Sequence, residues 1–580
     1  TNIMKIMKIV GENHFMGMII DKKYGGSDLS VTEQSKILTK ISSYNPSLGV
    51  SIMVPNSLGP GELLQKYGTK AQQEKFLPRL ASGELIPCFG LTGPENGSDA
   101  TGSIDEGFVV KDQTGKFCVQ VRVNKRYITL APISNLVGLA VNVQDPHRLL
   151  SSKKSGVTIF LLERGFPALE QLTYHNPNDA GFPNGTLKGL LTIPLCQTIG
   201  GPDNVGEGWK MLMECLAVGR GVSLPATANG TSKAVTYATM EYARHRKQFK
   251  MPIRKMEGVQ EKLAAMIRDT WIIHCCVEYT NHILDSKCTP SVLTAIAKQQ
   301  CTERARNVLT HGMDVVAGSA ICIGPNNIFT KFYRSAPIGI TVEGSNTLTR
   351  SLIIFGQGLN KSHPHIFKLY DSIVENDIVA FRTHFHSMVG HTLHNYRYAL
   401  IPSWFYGELH RLQLARRKFA NLVNFVALLG GSIKARQMIS GHMADVLSNL
   451  YLCSCLEWYH IHHCDEKEQF MMEYCMDILL EDAEEKMNAV IRNYPNKYIR
   501  CLIQPTGYST ILKTSFYKHQ KIVEKVYKDG FFMEILGNDI YREHPFFSQL
   551  EKLNDPTRSE FYEEEYRKMI AVGEFSIPKI

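Results

Sequence analysis

The sequence predicts an α+β multidomain protein: a helical segment, a β-rich domain, a second helical region and an all-α remainder. Three observations carry this prediction. Residues 31–80 place apolar side chains at helical intervals, as in LLQKYGTKAQQEKFLPRLASGE. The period then switches to two, with Phe117, Val119, Val121 and Val123 alternating with Cys118, Gln120 and Arg122. From Gly206 the helical period returns and persists almost to the end. At 580 residues the chain can bury several cores of about 150 residues each. With 44% hydrophobic and 21% charged residues it is an ordinary globular composition, which excludes disordered, collagen-like and disulfide-stapled classes.

The elements divide the chain into four parts. Residues 1–87 read as helices separated by a Pro/Gly/Asn-rich connection, NPSLGVSIMVPNSLGPGE. Residues 88–205 hold the strands: KFCVQVRVNKRYITLA after a Thr114-Gly115 turn, then GVTIFLLE and LKGLLTIPL. Residues 206–362 carry the helical segments WKMLMECLAVGRG, TSKAVTYATMEYARHRKQF and EGVQEKLAAMIRDTWIIHCCVEYTNHIL. Residues 363–580 are all-α, with one stripe through Met443, Val446, Leu447, Leu450 and Tyr451 and another through Met476, Leu479, Leu480, Ala483, Met487 and Val490.

The net charge of +9 is spread along the chain, which suits phosphate-bearing small molecules and argues against nucleic acid. Fourteen Cys without a disulfide framework or paired CxxC motifs point to a reducing, cytoplasmic setting. The apolar run Phe419 to Ile433 is broken by a Gly-Gly and falls short of a bilayer span of about 20 residues, and the stretch from Ile41 to Gly61 contains Pro46, Pro55 and Pro60. Association with a membrane surface stays open. No signal peptide is visible, and a start at Thr1 suggests an upstream piece.

On its own, LTGPENGSDATG reads as a glycine-rich loop able to offer backbone N–H groups and hydroxyls to a phosphate or a ring. Its company adds meaning. CFGLTGPENGSDA from Cys88, KRYIT from Lys125, YARHRKQF from Tyr242 and VEGSNTLTR from Val342 together resemble the acyl-coenzyme A dehydrogenase family, in order and spacing. The strings MVPNSLGPGELLQKYGT, GWKMLMECLAVGRG and EGSNTLTRSLIIFGQG, with the helical extension, look more narrowly like the large bacterial fatty-acid-degradation type. The resemblance covers roughly residues 12 to 360, and the extension more diffusely.

The resemblance implies the family's fold: an N-terminal helical domain, a β-barrel-like domain and a helical bundle, followed here by an extension. It also implies FAD-dependent oxidation of a saturated fatty acyl-CoA to the trans-2-enoyl thioester in β-oxidation. That chemistry needs a base for the α-proton, an acceptor for the β-hydride and donors to the thioester carbonyl. Glu343 matches the base, with Gly344 and Arg220 beside the substrate. Glu214, on the segment where some members carry their base, is a second candidate. Phe89, Leu91, Thr92, Gly97 and Ser98 match the flavin and thioester loop, Ser98 facing the acyl-CoA, while Tyr127 and Thr129 match the pair at the isoalloxazine ring. Arg246, Gln248 and Phe249 match the pyrophosphate motif, and Asp314, Gly318 and Ser345 complete the cofactor set. The implied partners are an electron-transfer flavoprotein and further copies of the chain in a homo-oligomer.

Two departures stand out. Where the family has Gly-Gly-x-Gly, this chain reads Ala317, Gly318, Ser319, Ala320, and Asp314 replaces a Gln. These motivate one alternative, a flavin-poor scaffold of the same fold; an acyl-CoA oxidase is the nearest enzymatic alternative, and a nitroalkane-oxidising relative would carry Asp at position 343. A separate cluster, Cys453, Cys455, His460, His462, His463 and Cys464, is a soft-metal candidate weighed against packing, and His363 and His365 flank Pro364. No metal is assigned.

Overall fold

The computed structural model describes residues 2–100, 102, 104–150, 155–288, 290–401, 410–463, 466–574 and 576. Helix α1 (Asn2–Glu12) comes first. Helix α2 (Val31–Tyr44) starts at a capping box, the Ser30 hydroxyl accepting from Glu33 N and the Glu33 carboxylate from Ser30 N. The stretch read as a connection is itself helical: α3 (Pro46–Met53) and α4 (Pro60–Tyr67) flank a π-turn over Val54–Leu58. Pro46 and Pro60 sit in first turns, where a missing N–H is no loss, and the Asn45 side chain caps Ser47 N and Leu48 N. Helix α5 (Lys70–Ala81) follows a second capping box, Thr69 with Gln72.

Seven strands curl into one half-barrel sheet: β1 (Pro87–Gly90), β2 (Glu106–Lys111), β3 (Phe117–Thr129), β4 (Leu136–Gln144), β5 (Gly156–Glu163), β6 (Tyr174–His175) and β7 (Asn184–Pro194). Strand β4 has β5 antiparallel along one edge and β1, then β2, parallel along the other. Strand β3 joins β2 to β7, and β6 closes the far edge. Strand β4 showed no alternation because both its faces are covered, so LVGLAVNVQ is a nearly continuous apolar run. In β3 the alternation holds from Val119, but Phe117 is exposed and Cys118 buried, because Cys118 lies opposite Pro194 where β7 ends.

Two sequence segments read apart, GWKMLMECLAVGRG and TSKAVTYATMEYARH, are one 38-residue helix, α6 (Gly208–His245), that passes through Pro225. Beyond Gly221 it is buried on nearly every side. Gly230 permits this, since a Cβ there would stand 2.1 Å from the Thr39 carbonyl of α2. A small hairpin, β8 (Lys247–Gln248) and β9 (Met251–Pro252), leads to α7 (Glu257–Asp285), α8 (Ser291–Val316), α9 (Gly318–Ile321), α10 (Phe329–Thr341) and α11 (Asn346–Leu348). A π-helical segment, Thr349–Gln357, then runs into α12 (Gly358–Ser362).

The extension comprises α13 (Ile366–Val374), α14 (Ile378–Ala399), α15 (Arg411–Ala427), α16 (Gln437–His463), α17 (Glu466–Arg492), α18 (Lys497–Ile503), α19 (Phe516–Asp529), α20 (Phe531–Asp539), α21 (Pro545–Asn554) and α22 (Tyr562–Ile570). Both apolar stripes read from the sequence face inward, with Leu447 and Met476 at their margins. One core runs from α6, α7 and α8 into the extension: Trp271 of α7 meets Tyr459 of α16 and Phe532 of α20 edge-on. Inside it, His274 shares a hydrogen bond with Tyr459 (3.0 Å) and Thr280 one with Tyr451 (2.9 Å), so these four buried polar side chains are partnered. No described helix is long and apolar enough to cross a membrane. Helices α13 and α14 nevertheless expose Phe367, Tyr370, Ile373, Ile378, Val379 and Leu393.

Candidate active site

Helix α10 ends with Val342 N still bonded to the Ile338 carbonyl, after which the backbone leaves helical geometry at Glu343 (φ +56°) and Gly344 (φ +90°). A left-handed glutamate is strained by about 1–2 kcal/mol, so the surroundings must hold it. The holder is Lys298 of α8, fully buried, whose ammonium donates to Gly344 O (2.8 Å), Asn346 Oδ1 (2.7 Å) and Ile340 O (3.2 Å). Asn346 in turn donates to Thr302 Oγ1 (2.9 Å) and Glu303 Oε1 (3.1 Å). Ser345 opens α11, its carbonyl accepting from Leu348 and Thr349 N.

Glu343 retains partial exposure as a residue, yet both carboxylate oxygens are buried without a hydrogen-bond partner. Desolvation pushes this carboxyl up to about 6, against the opposing charges of Arg220 and Lys298. Arg220 comes from α6 with its Nη2 3.8 Å from where a Gly344 Cβ would sit; its Nε is also buried and unpartnered, and burial lowers its pKa while Glu343 raises it. A dry carboxylate without a donor, flanked by two cations, is arranged to receive a proton. An apolar cavity of about 40 Å³ lies against α10, lined by Val50, Leu224, Ala228, Phe332 and Gly339 and by Thr302, the partner of Asn346; the Glu343 carboxylate is not part of its lining.

A second group forms where β1 gives way to the glycine-rich loop. Asn96, buried, organises that loop: its Oδ1 accepts from Gly93 N (2.7 Å) and its Nδ2 donates to Leu91 O (3.0 Å). Arg126 stitches the loop to β3, its N–H donating to Thr92 O and its guanidinium to Pro94 O (both 3.0 Å). Thr92 is thereby tied next to Tyr127, which a register shift between Lys125 and Ile128 lifts out of the ladder at φ +60° and 58% exposed. Phe89 and Leu91 pack against the cluster of Leu63, Phe76 and Leu136. Thr129 accepts weakly from Asn184 (3.4 Å), and His175 lies against the Tyr127 ring at 5.1 Å. Asn184 Oδ1 and His175 Nε2 are buried and unpartnered. Gly97 and Ser98 are exposed at the loop tip. Val342, next to Glu343, packs on the core that contains Cys88 and Ile128, which joins this group to the first.

The third group stands apart. Arg246 caps the C-terminus of α6, and on a pocket of about 660 Å³ it meets Gln248, Lys262, Asp314, Gly318 and Ser319. At a rise of 1.5 Å per residue it lies roughly 39 Å along α6 from Arg220. Ala317 adopts φ +57°, ψ −131°, a glycine conformation, so the loop keeps its backbone shape despite the substitution, and a Cβ at Gly318 would meet nothing within 4 Å. Asp314 is paired with Lys262 at 3.2 Å, which removes the unbalanced carboxylate expected from the sequence. Phe249 projects, 86% exposed, from the β8–β9 turn. The open cradle at Gly318, the Arg246 guanidinium on the same pocket and the orphaned polar atoms of Asn184 and His175 fit a flavin dinucleotide in chemistry.

The other candidates are placed elsewhere. Glu214 is exposed on α6 and tied to Lys66 (2.7 Å) and the Tyr67 hydroxyl, which lower its pKa and leave it no role beside Glu343. His462 and His463 bond to the carbonyls of Trp458 and Tyr459, Cys453 and Cys455 are buried in the core, and Cys464 lies outside the described residues. Among the described residues no group of three or more His, Cys, Asp or Glu is arranged to hold a metal. His363 accepts at Nδ1 from His365 and Ile366 N, starting α13. Sequence reasoning missed Lys298, Asn346 and Asn96. A lysine inside the apolar helical run TAIAKQQC was the available signal for the first.

Comparisons with known proteins agree along the chain. Residues 2–84 match a family model for the acyl-CoA dehydrogenase N-terminal domain, 206–356 one for its C-terminal domain, and 360–571 one for the bacterial-type C-terminal domain. The mitochondrial very long-chain specific acyl-CoA dehydrogenase of Macaca fascicularis is 27% identical over 345 residues, 58% of this chain and 50% of that protein. An acyl-CoA dehydrogenase of Bacillus subtilis (strain 168) is 25% identical over 358 residues, 60% of this chain and 88% of that protein. The chain thus spans about half the length of the first relative and most of the second. Among solved structures, an acyl-CoA dehydrogenase complexed with FAD from Bacillus anthracis shares the fold with a TM-score of 0.74 at 18% identity, over 90% of this chain and 89% of that one.

Proposed function

The chain belongs to the acyl-CoA dehydrogenase family, and from that premise we propose that it oxidises a saturated fatty acyl-CoA to the trans-2-enoyl-CoA with FAD, as a step of fatty-acid β-oxidation. The observation that carries this reading is the Glu343 carboxylate, buried without a donor and facing the charges of Arg220 and Lys298. In it, Glu343 takes the α-proton and its backbone N–H donates to the thioester carbonyl, so that the developing enolate charge is met in a dry site. When bound, FAD supplies the acceptor for the β-hydride. Arg220 and Lys298 keep part of the Glu343 population ionised at neutral pH against desolvation. The loop Phe89–Ser98 with Tyr127 and Thr129 holds the ring and thioester, Ser98 on the acyl-CoA side, and Ser345 and Gly344 approach from the base loop.

Arg246, Gln248, Phe249, Asp314 and Gly318 hold the diphosphate end, the Arg fork binding phosphate in two places. The pocket at Arg246 lies roughly 39 Å along α6 from Arg220 and, by resemblance to the family, serves the flavin of a second copy in a homo-oligomer. We divide the chain at 1–87, 88–205, 206–362 and 363–580, and assign an electron-transfer flavoprotein as acceptor and the exposed face of α13 and α14 to peripheral membrane contact. The test is a flavin absorbance spectrum with turnover assays. The wild type carries flavin and dehydrogenates acyl-CoA, while Glu343→Gln keeps the flavin and loses turnover. An unaltered rate in Glu343→Gln would defeat the base assignment, and stoichiometric peroxide during turnover would make the chain an acyl-CoA oxidase.

A further inference from the structure

The break between α10 and α11 raises a question of backbone accounting. In a continuing helix the Ile340 carbonyl would accept from Gly344 N, but the left-handed turn at Glu343 and Gly344 removes that donor. Lys298 supplies it from outside. All three ammonium hydrogens are used, on Ile340 O before the base, Gly344 O after it, and Asn346 Oδ1 at the next helix. Asn346 is buried and locked by Thr302 and Glu303, and Thr349 Oγ1 adds a second donor to Gly344 O at 3.2 Å. Among the described residues no other side chain hydrogen-bonds to both sides of the break.

We propose that Lys298 is the positioning residue of the catalytic base: it clamps the backbone on both sides of Glu343 and sets the aim of its carboxylate while contributing one of the two positive charges that face it. This rests on the reading of Glu343 as base. The charged groups around that carboxylate are Arg220 from α6 and Lys298 from α8, with Glu303 behind Lys298, and desolvation works against them. A lysine suits the task because its three donors radiate from one atom, as three acceptors on two sides of a break require.

The experiment uses the flavin-loaded full chain with an acyl-CoA substrate. In Lys298→Met the expected result is unchanged flavin content, KM within a few-fold of wild type, kcat lower by roughly ten- to a hundred-fold, and an acid limb of the pH–rate profile displaced upward from about 6 by roughly one unit. Lys298→Gln keeps N–H donors without the charge, so it recovers part of kcat and retains the displaced limb. A merely structural lysine would change stability and leave the limb in place. Lys298→Met with normal kcat and an unmoved limb overturns the proposal, and if that variant does not fold, the same two readings are taken on Lys298→Gln and decide alike. Glu343→Gln is run in parallel: if it turns over normally, the base assignment has failed, whereas an inactive Glu343→Gln beside a normal Lys298→Met rejects the clamp alone.

Discussion

Glu343 makes a prediction about stability that needs no substrate. Its carboxyl is raised from 4.5 to about 6 in the folded chain, chiefly by desolvation. A raised acid holds its proton more tightly folded than unfolded. Stability is therefore full below pH 4.5, where both states are protonated, declines as pH rises to about 6, and stays reduced above. A shift of about one and a half units at roughly 1.4 kcal/mol each makes the ionised group cost about 2 kcal/mol at pH 8. Glu343→Gln replaces it with a neutral amide of the same shape, which loses much less on burial. Thermal melts of both proteins at pH 5 and pH 8 should show the variant melting about one to two degrees higher at pH 8, since a chain of 580 residues has a large melting entropy, with the gap shrinking at pH 5. A variant equally or less stable at pH 8, or a gap that does not depend on pH, would refute the account of a dry, unpartnered carboxylate.

Other consequences are testable with the same protein. Arg246→Gln removes a charged fork from the pocket of about 660 Å³, and FAD titration should show affinity lower by roughly ten- to a hundred-fold, as expected for one charged hydrogen-bonding group. Ala317→Gly relieves a backbone in the glycine region; after the added entropy of the unfolded chain it should stabilise by about 1 kcal/mol in a thermal melt. Arg350→Ala breaks a bidentate pair with Asp445 (2.7 and 2.6 Å) between the base loop and α16, but Lys486 at 2.9 Å still compensates Asp445, so denaturant melts should show a loss of about 1–2 kcal/mol.

How much was legible depended on how many faces of an element are covered. The stripes of α16 and α17 and the strand β3 have one buried and one exposed face, and their periods were visible in the sequence. Strand β4, and helix α6 beyond Gly221, are buried on nearly every side, so no period marked the first and Gly219, Gly221 and Pro225 disguised the second as two pieces. In the site, the motif residues were nameable because their types are unusual at those spacings. Their supports were not: Lys298 acts from 45 positions upstream of Glu343, and only the packing of α8 on α10 shows that its ammonium reaches the break. The Asp314 departure illustrates the converse. In sequence it is a carboxylate beside a phosphate site; in space Lys262, one helix away, already neutralises it.

The extension touches both ends of the catalytic body. At one end Arg350, seven residues after Glu343, is held by Asp445 and lies so close over Gly441 that a Cβ there would stand 2.6 Å from its guanidinium. At the other, the Tyr566 hydroxyl of α22 accepts from Lys247 N (3.2 Å) and Arg246 Nη1 (3.4 Å), and Val572 lines the same pocket. These contacts come from helices more than 90 residues apart in sequence, α16 and α22, joined through one continuous apolar core. Interiors packed at crystal-like density transmit displacement, so the base loop and the diphosphate pocket, roughly 39 Å apart along α6, share a rigid backing through the extension. The extension therefore contacts the supports of both candidate sites, and the groups proposed for the chemistry lie outside its helices.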